Sequence, residues 1–357
     1  MNEQNIINVP LAQLPVMLDL EFGVQEDSDK GNPIMVTGPV GVGKSSIQEQ
    51  FAIANDYECI IVNLVDYLPS EVSGWVTEKD GEVVKLLPDW GKRLFDHLSN
   101  DRKVVVILEE FAQADEDVQR NTSQIIHDQR LAGRSFSGGN VLIIANGNRR
   151  EDKAAVNRIP EHIVSRFSHY NVDVDLETTI DYAVANDWRP EVMAFLRWHP
   201  EALHDHKDRD GTQFPTPRAW EKVSNFIEVA LKVGIEPALE RAGIAGRIGA
   251  GWATQFSGFL KIFRNLPVNP AEVFANPEGV DVPDPATKAD VLWALLGSLA
   301  HQVDKKTCAA FVTYLLRCPP EFAVCAFKQA HKRDGELKKT EAFTKFYVAN
   351  EDVYHDD

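Results

Sequence analysis

The octapeptide Gly38-Pro39-Val40-Gly41-Val42-Gly43-Lys44-Ser45 constrains this chain more than any other segment, because it lies between the apolar run IMVT and the helix-like run IQEQFAIA. It satisfies GxxxxGK[ST] in the setting that gives the pattern meaning, after a strand and before a helix. Its glycines permit backbone conformations in which successive N–H groups converge on one cavity, where they and the helix N-terminus can hold anionic phosphates. Lys44 would reach the β- and γ-phosphates of a nucleotide, and the Ser45 hydroxyl would ligate Mg²⁺. The alternative is a glycine-rich turn with a stray lysine. A chance match is expected about once per hundred chains of this size at average glycine content, and the two flanking runs make it rarer. The expected nucleotide-binding set is Gly38, Pro39, Gly41, Val42, Gly43, Lys44, Ser45 and Ser46.

Around the loop the chain alternates short β-branched runs with helical stretches, the pattern of a parallel sheet covered by helices. Candidate strands are Ile34 to Thr37, Cys59 to Asn63, Val104 to Leu108 and Val141 to Ala145. Sites in such sheets lie at the carboxyl ends of the strands. The third strand delivers Glu109 and Glu110 to that end, and strand alternation puts the two carboxylates on opposite faces, one for the metal and one for a water. Between Val72 and Leu86 the sequence VSGWVTEKDGEVVKL reads as a β-hairpin turning at Asp80-Gly81. Past about Asp173 the strands give way to helical spacing, with Pro217 at a helix start before Ala219, Trp220 and Val223. Pro267, Pro270, Pro277, Pro283 and Pro285 suggest an extended connector, after which helical periodicity resumes. The expected domains are 1–172, an α/β nucleotide-binding domain with an insert at about 72–86; 173–265, a helical lid; 266–287, the connector; and 288–357, a C-terminal helical extension.

Length and charge narrow the function. A chain of 357 residues supports about two domains, and a formal charge of -17 is the opposite of an electrostatic footprint for phosphate backbones, so nucleic acid is a disfavoured partner. No basic segment followed by an apolar one opens the chain, and no apolar run approaches bilayer length, so a soluble cytoplasmic protein without membrane contact is expected. The spacings of Cys59, Cys308, Cys318 and Cys325 fit neither zinc nor a disulfide framework, which leaves buried free thiols. His199, His204 and His206 are irregularly spaced and read as a polar loop, while Trp188, Phe195, Trp198 and Trp220 read as helical core. Trp75, on a hairpin with an open face, suits a partner contact as well as packing.

The Walker A loop GPVGVGKSS, the Walker B strand VVVILEEF, the stretch VLIIANGNRRED, the segment IPEHIVSRF and the later FPTPRAW occur in the order used by the AAA+ ATPases. From Pro33 to Phe226 the chain resembles the MoxR-like group with the dynein-related type of ATPase module. The resemblance implies an α/β AAA+ P-loop sheet with flanking helices and an all-helical lid, using ATP and Mg²⁺. It implies that Glu110 activates the attacking water and that Asn148 orients it as sensor 1. By the same resemblance Arg166 is the arginine finger inserted by a neighbouring subunit, Arg158 a weaker second trans candidate, and Arg218 sensor 2. Arginine suits such posts because its fixed fork stabilises phosphoryl charge without a proton to lose. The family usually has Asp where this chain has Glu109, the metal-site acid, and the extra methylene points to slow hydrolysis or to a metal-bound water between them. The group further implies a ring, often hexameric, acting as a chaperone-like remodelling motor with a separate von Willebrand factor A domain partner. Two alternatives remain: a nucleic-acid-directed motor of the restriction-ATPase type, and a nucleotide-gated scaffold with slow hydrolysis.

Overall fold

The computed structural model describes residues 8–28, 31–136, 138–149, 157, 159–206 and 213–354. These form two compact units, Met1–Val174 and Asp175–Asp357.

The first unit is built on a six-stranded parallel sheet. In chain order its elements are β1 (Asn8–Val9), α1 (Leu14–Ser28), β2 (Ile34–Thr37), α2 (Lys44–Ala54), β3 (Glu58–Asn63), α3 (Pro69–Ser73), β4 (Trp75–Lys79), β5 (Glu82–Leu86) and α4 (Asp89–Ser99). They continue with β6 (Val104–Glu109), α5 (Glu116–Asp128), β7 (Arg130–Leu131), β8 (Arg134–Ser135), β9 (Val141–Gly147), α6 (Glu161–Val164) and β10 (Ser168–Val172). The sheet runs in the order β1-β10-β2-β9-β6-β3, with every pairing parallel. Of the four apolar runs expected to be strands, β3 lies at an edge of the sheet, whereas β2, β6 and β9 are interior. They read as nearly unbroken Val, Ile and Leu because helices cover both faces of a parallel sheet. Alternation divides them cleanly. Val104, Val106, Leu108, Ile143 and Ala145 pack into one core, whereas Val105, Ile107, Leu142, Ile144 and Val36 pack with Phe51 and Ala52 of α2 on the opposite face.

Two strands carry no such signal. β10 reads SHYNV and β1 is two residues long. Their pairing comes from neighbours far away in sequence, Ser168 through Asn171 against Ile34 through Thr37, and Asn8 and Val9 against Asn171 and Val172. The hairpin exists as β4 and β5, turning at Asp80 and Gly81 with φ of 55° and 82°. Positive φ at both central residues matches the right-handed twist of the strands it joins. Its expected first residues belong to α3 instead, where Val72 is buried.

The second unit is helical: α7 (Leu176–Ala185), α8 (Pro190–Trp198), α9 (Pro217–Val233), α10 (Pro237–Ile248), α11 (Ala250–Arg264), α12 (Pro270–Ala275), α13 (Pro285–Gln302), α14 (Cys308–Leu315), α15 (Pro320–Arg333), α16 (Glu341–Ala349) and α17 (Glu351–Tyr354). Phe195, Trp220, Phe256 and Phe259 form an aromatic centre, with ring centroids 5.0–5.6 Å from that of Phe195. α13 crosses α8 so closely that a Cβ on Gly297 would lie 2.8 Å from that of Ala194.

The expected extended connector at 266–287 is helical in part. Pro270 and Pro285 open α12 and α13, and the side chains of Asn269 and Asp284 cap these helices. Proline is favoured at a first helical position because its φ is preset and its missing N–H is not needed there. Val273 is buried in the same core as Leu295, Phe311 and Phe327, so this segment and the C-terminal helices share one hydrophobic centre. The four cysteines are free thiols, but only Cys308 and Cys318 are buried; Cys59 and Cys325 are half-buried. Among the described residues no helix is long and apolar enough to cross a membrane.

Candidate nucleotide site

β2 ends at Thr37 and the loop begins. A Cβ at Gly38 would meet the Val172 carbonyl oxygen at 2.5 Å, so only glycine lets the loop leave β2 beside β10. Gly41 and Gly43 take φ of 76° and 100°, a region L side chains rarely enter. Gly43 is also the N-cap of α2, and no side chain caps that terminus. A helix opened in this way offers its first-turn N–H groups and the positive end of its dipole to an anion.

Lys44 begins the helix and is 9% exposed. Its ammonium donates to the carbonyl oxygens of Gly38 and Pro39, both at 2.9 Å, and to Asn148 Oδ1 at 3.3 Å. The structure thus brings Asn148, just past the end of β9, to the lysine of the loop. Pro39 and Val42 are buried, Ser45 is half-buried and Ser46 exposed.

Glu109 is the last residue of β6, and it continues the face of Val105 and Ile107 toward α2. Glu110 departs from the expected alternation. Its φ of 55° ends the strand, and its carbonyl accepts from the N–H groups of Gln113 and Ala114, so a turn and not the pleat sets its direction. Phe111 follows with its N–H on the Asn146 carbonyl at 2.8 Å. Gln119 holds the same turn by donating to the carbonyls of Phe111 and Ala114.

Two residues at this site escaped the sequence reading. The carboxamides of Gln48 and Asn146 exchange two hydrogen bonds of 2.8 and 2.9 Å, and Asn146 also donates to Glu109 Oε1 at 3.0 Å. The signal was available: Asn146 follows Leu142 and Ile144 in the buried phase of β9, and Gln48 lies one turn after Lys44. A polar residue at an apolar phase marks a hydrogen-bonded network.

Arg166 is exposed, just past α6, with its guanidinium 2.6 Å from His127 Nδ1 of α5. Arg218 is exposed in the first turn of α9, in the second unit. Arg166 has no described hydrogen bond to Lys44, Asn148, Glu109 or Glu110, and Arg158 lies outside the described residues. Among the described residues no cluster of three or more His, Cys, Asp and Glu could hold a metal ion by itself. The Ser45 hydroxyl and the Glu109 carboxylate are nevertheless the hard oxygen donors that suit Mg²⁺, which usually keeps several waters and needs one or two protein oxygens besides nucleotide phosphate. The donor set fits. His199 pairs with Glu201 and packs against Phe195, Trp198 and Trp252.

Residues 33–167 match the family model of the AAA domain, dynein-related subfamily. The first unit therefore carries an AAA+ ATPase domain, and the parallel sheet followed by an extensive helical region is the AAA+ architecture. No curated protein matches the sequence. Among solved structures, the Thermotoga maritima RuvB Holliday junction branch migration motor overlaps at 13% identity and a TM-score of 0.38, covering 81% of this chain and 87% of that one. A mutant of the same protein overlaps at 13% identity and 0.39, with the same coverage.

Proposed function

We propose that the chain is an ATP-hydrolysing AAA+ motor that works as a homo-oligomeric ring, each site being completed by a neighbouring copy. The observation that carries this reading is the convergence of Lys44, Asn148 and the glycine cradle at the carboxyl edge of the sheet, with Glu109 and Glu110 ending the nearby β6. In this reading the α2 N-terminus and Lys44 hold the phosphates, and Ser45 and Glu109 hold Mg²⁺, which supplies charge neutralisation at the phosphate oxygens when bound. Glu110 draws the proton from an attacking water that Asn148 orients. Arg166, exposed and without a described hydrogen bond to its own cradle, serves the next subunit, and Arg218 acts as sensor 2.

The work done with ATP has two readings. The ordered motifs support MoxR-like remodelling of a protein, with a hexameric ring and a von Willebrand factor A domain partner. A nucleic-acid-directed motor of the restriction-ATPase type is the second reading. The charge of -17 disfavours broad contact with phosphate backbones. ATP turnover measured with and without duplex and single-stranded DNA separates them, since a DNA motor is stimulated and a protein remodeller is not. The nucleotide assignment itself is tested by calorimetry: Lys44→Ala is expected to lose ATP binding, and an unchanged affinity would overturn it.

A further inference from the structure

We infer that Asn146 is a positioning residue for the acidic pair, holding Glu109 in its metal-binding direction and itself oriented by Gln48 of the phosphate-loop helix. This rests on the ATPase reading above and extends it to two residues to which no motif assigns a role.

The geometry is specific. Asn146 is 1% exposed and Gln48 fully buried, so neither side chain can exchange its partners for water. The carboxamide of Asn146 has two N–H donors; one goes to Gln48 Oε1 and the other to Glu109 Oε1, while its oxygen accepts from Gln48 Nε2. Turning both amides over would preserve their mutual pair but set the Asn146 oxygen against the Glu109 carboxylate. The carboxylate therefore selects one orientation, and the pair with Gln48 holds it. Asn146 grips the acidic pair from both ends, since its backbone carbonyl also accepts from Phe111 N–H immediately after Glu110.

The link has a mechanical meaning. Gln48 lies one helical turn beyond Lys44, so the phosphate loop, β9 and the end of β6 are tied through one buried hydrogen-bonded chain. It also accounts for glutamate at the metal-site position. A longer, more flexible acid is pinned at one oxygen, which restores the fixed direction that a shorter aspartate would hold with fewer rotamers. Donors outside the ligand sphere typically govern metal affinity by 10–100-fold.

The test uses the full chain and reads binding, not turnover: ATP affinity by calorimetry across a Mg²⁺ titration and in EDTA. Asn146→Leu, close in shape but without donors, is expected to keep the wild-type affinity in EDTA and to need about tenfold more Mg²⁺ for half of the metal-dependent gain. Gln48→Met is expected to shift the same midpoint by a smaller factor, and it carries the test if Asn146→Leu does not fold. In a Glu109→Gln background neither substitution should move the midpoint further, because the group they position is gone. A merely structural role would lower affinity in EDTA as well and would persist in that background. Either of those results, or a folded variant with the wild-type Mg²⁺ midpoint, overturns the inference alone, whereas a wild-type chain that does not bind ATP overturns the ATPase reading with it.

Discussion

Glu110 occupies the left-handed region at φ 55°, where an L side chain costs about 1 kcal/mol and glycine escapes the cost. Strain of that kind persists where the surroundings over-determine it, and here the Phe111 and Gln119 hydrogen bonds do so. Two substitutions separate the backbone from the carboxylate. Glu110→Gln keeps the shape of the side chain and should leave thermal stability and ATP binding unchanged while stopping turnover. Glu110→Gly should also stop turnover but raise the thermal midpoint. If Glu110→Gln retains wild-type turnover, the proton-accepting role belongs to another group. The same pair of acids shows why residue identity alone is a poor guide to geometry: Glu109 follows the pleat and Glu110 does not.

Among the elements, the β4–β5 hairpin contributes no buried residue to a core. Trp75, Val76, Val83 and Leu86 are each half or more exposed, so apolar side chains face solvent on both strands. Its base is tightly seated all the same, since a Cβ on Gly74 would lie 2.7 Å from the Leu86 carbonyl oxygen and 2.9 Å from Ala132 Cβ. Replacing residues 75–86 by a short Gly-Ser link should change the thermal midpoint by no more than about 3 °C, because little buried apolar area is lost, and should leave ATP affinity intact. Differential scanning calorimetry and ATP titration on one sample check both. A drop of about 10 °C or more would show that the hairpin is a structural member of the first unit.

For the whole molecule the decisive quantity is the dependence of activity on assembly. Arg166 is exposed and paired with His127, with no described bond to the phosphate loop of its own chain. An arginine supplied in trans contributes on the order of 10³–10⁵ in rate in phosphoryl-transfer systems. Specific ATPase activity should therefore rise with protein concentration as subunits associate, and Arg166→Ala should lose turnover by a factor in that range while still binding ATP. Light scattering and assay on the same samples check this. A monomer with full activity would refute the shared site and leave Arg166 as a surface partner of His127.

What the sequence determines by itself is whatever local chemistry encodes. The loop needs glycine at 41 and 43 because only positive φ brings its N–H groups together, and lysine and serine follow at a spacing that a helix start imposes. The interior strands β2, β6 and β9 are legible because a sheet buried on both faces demands continuous apolar runs. Prolines at 270 and 285 were legible as punctuation but ambiguous in meaning, since the same residue breaks a chain or opens a helix, and only the buried Val273 and the caps at Asn269 and Asp284 decide for the helix. The strand SHYNV, the turn that redirects Glu110 and the chain from Gln48 through Asn146 to Glu109 belong to tertiary structure. Gln48 and Asn146 are 98 residues apart, and Tyr170 and Thr37 are 133 apart. Contacts over such separations depend on which strands pair and in what register, so the identity of each residue becomes informative only after the parallel sheet has brought its partners to the same face.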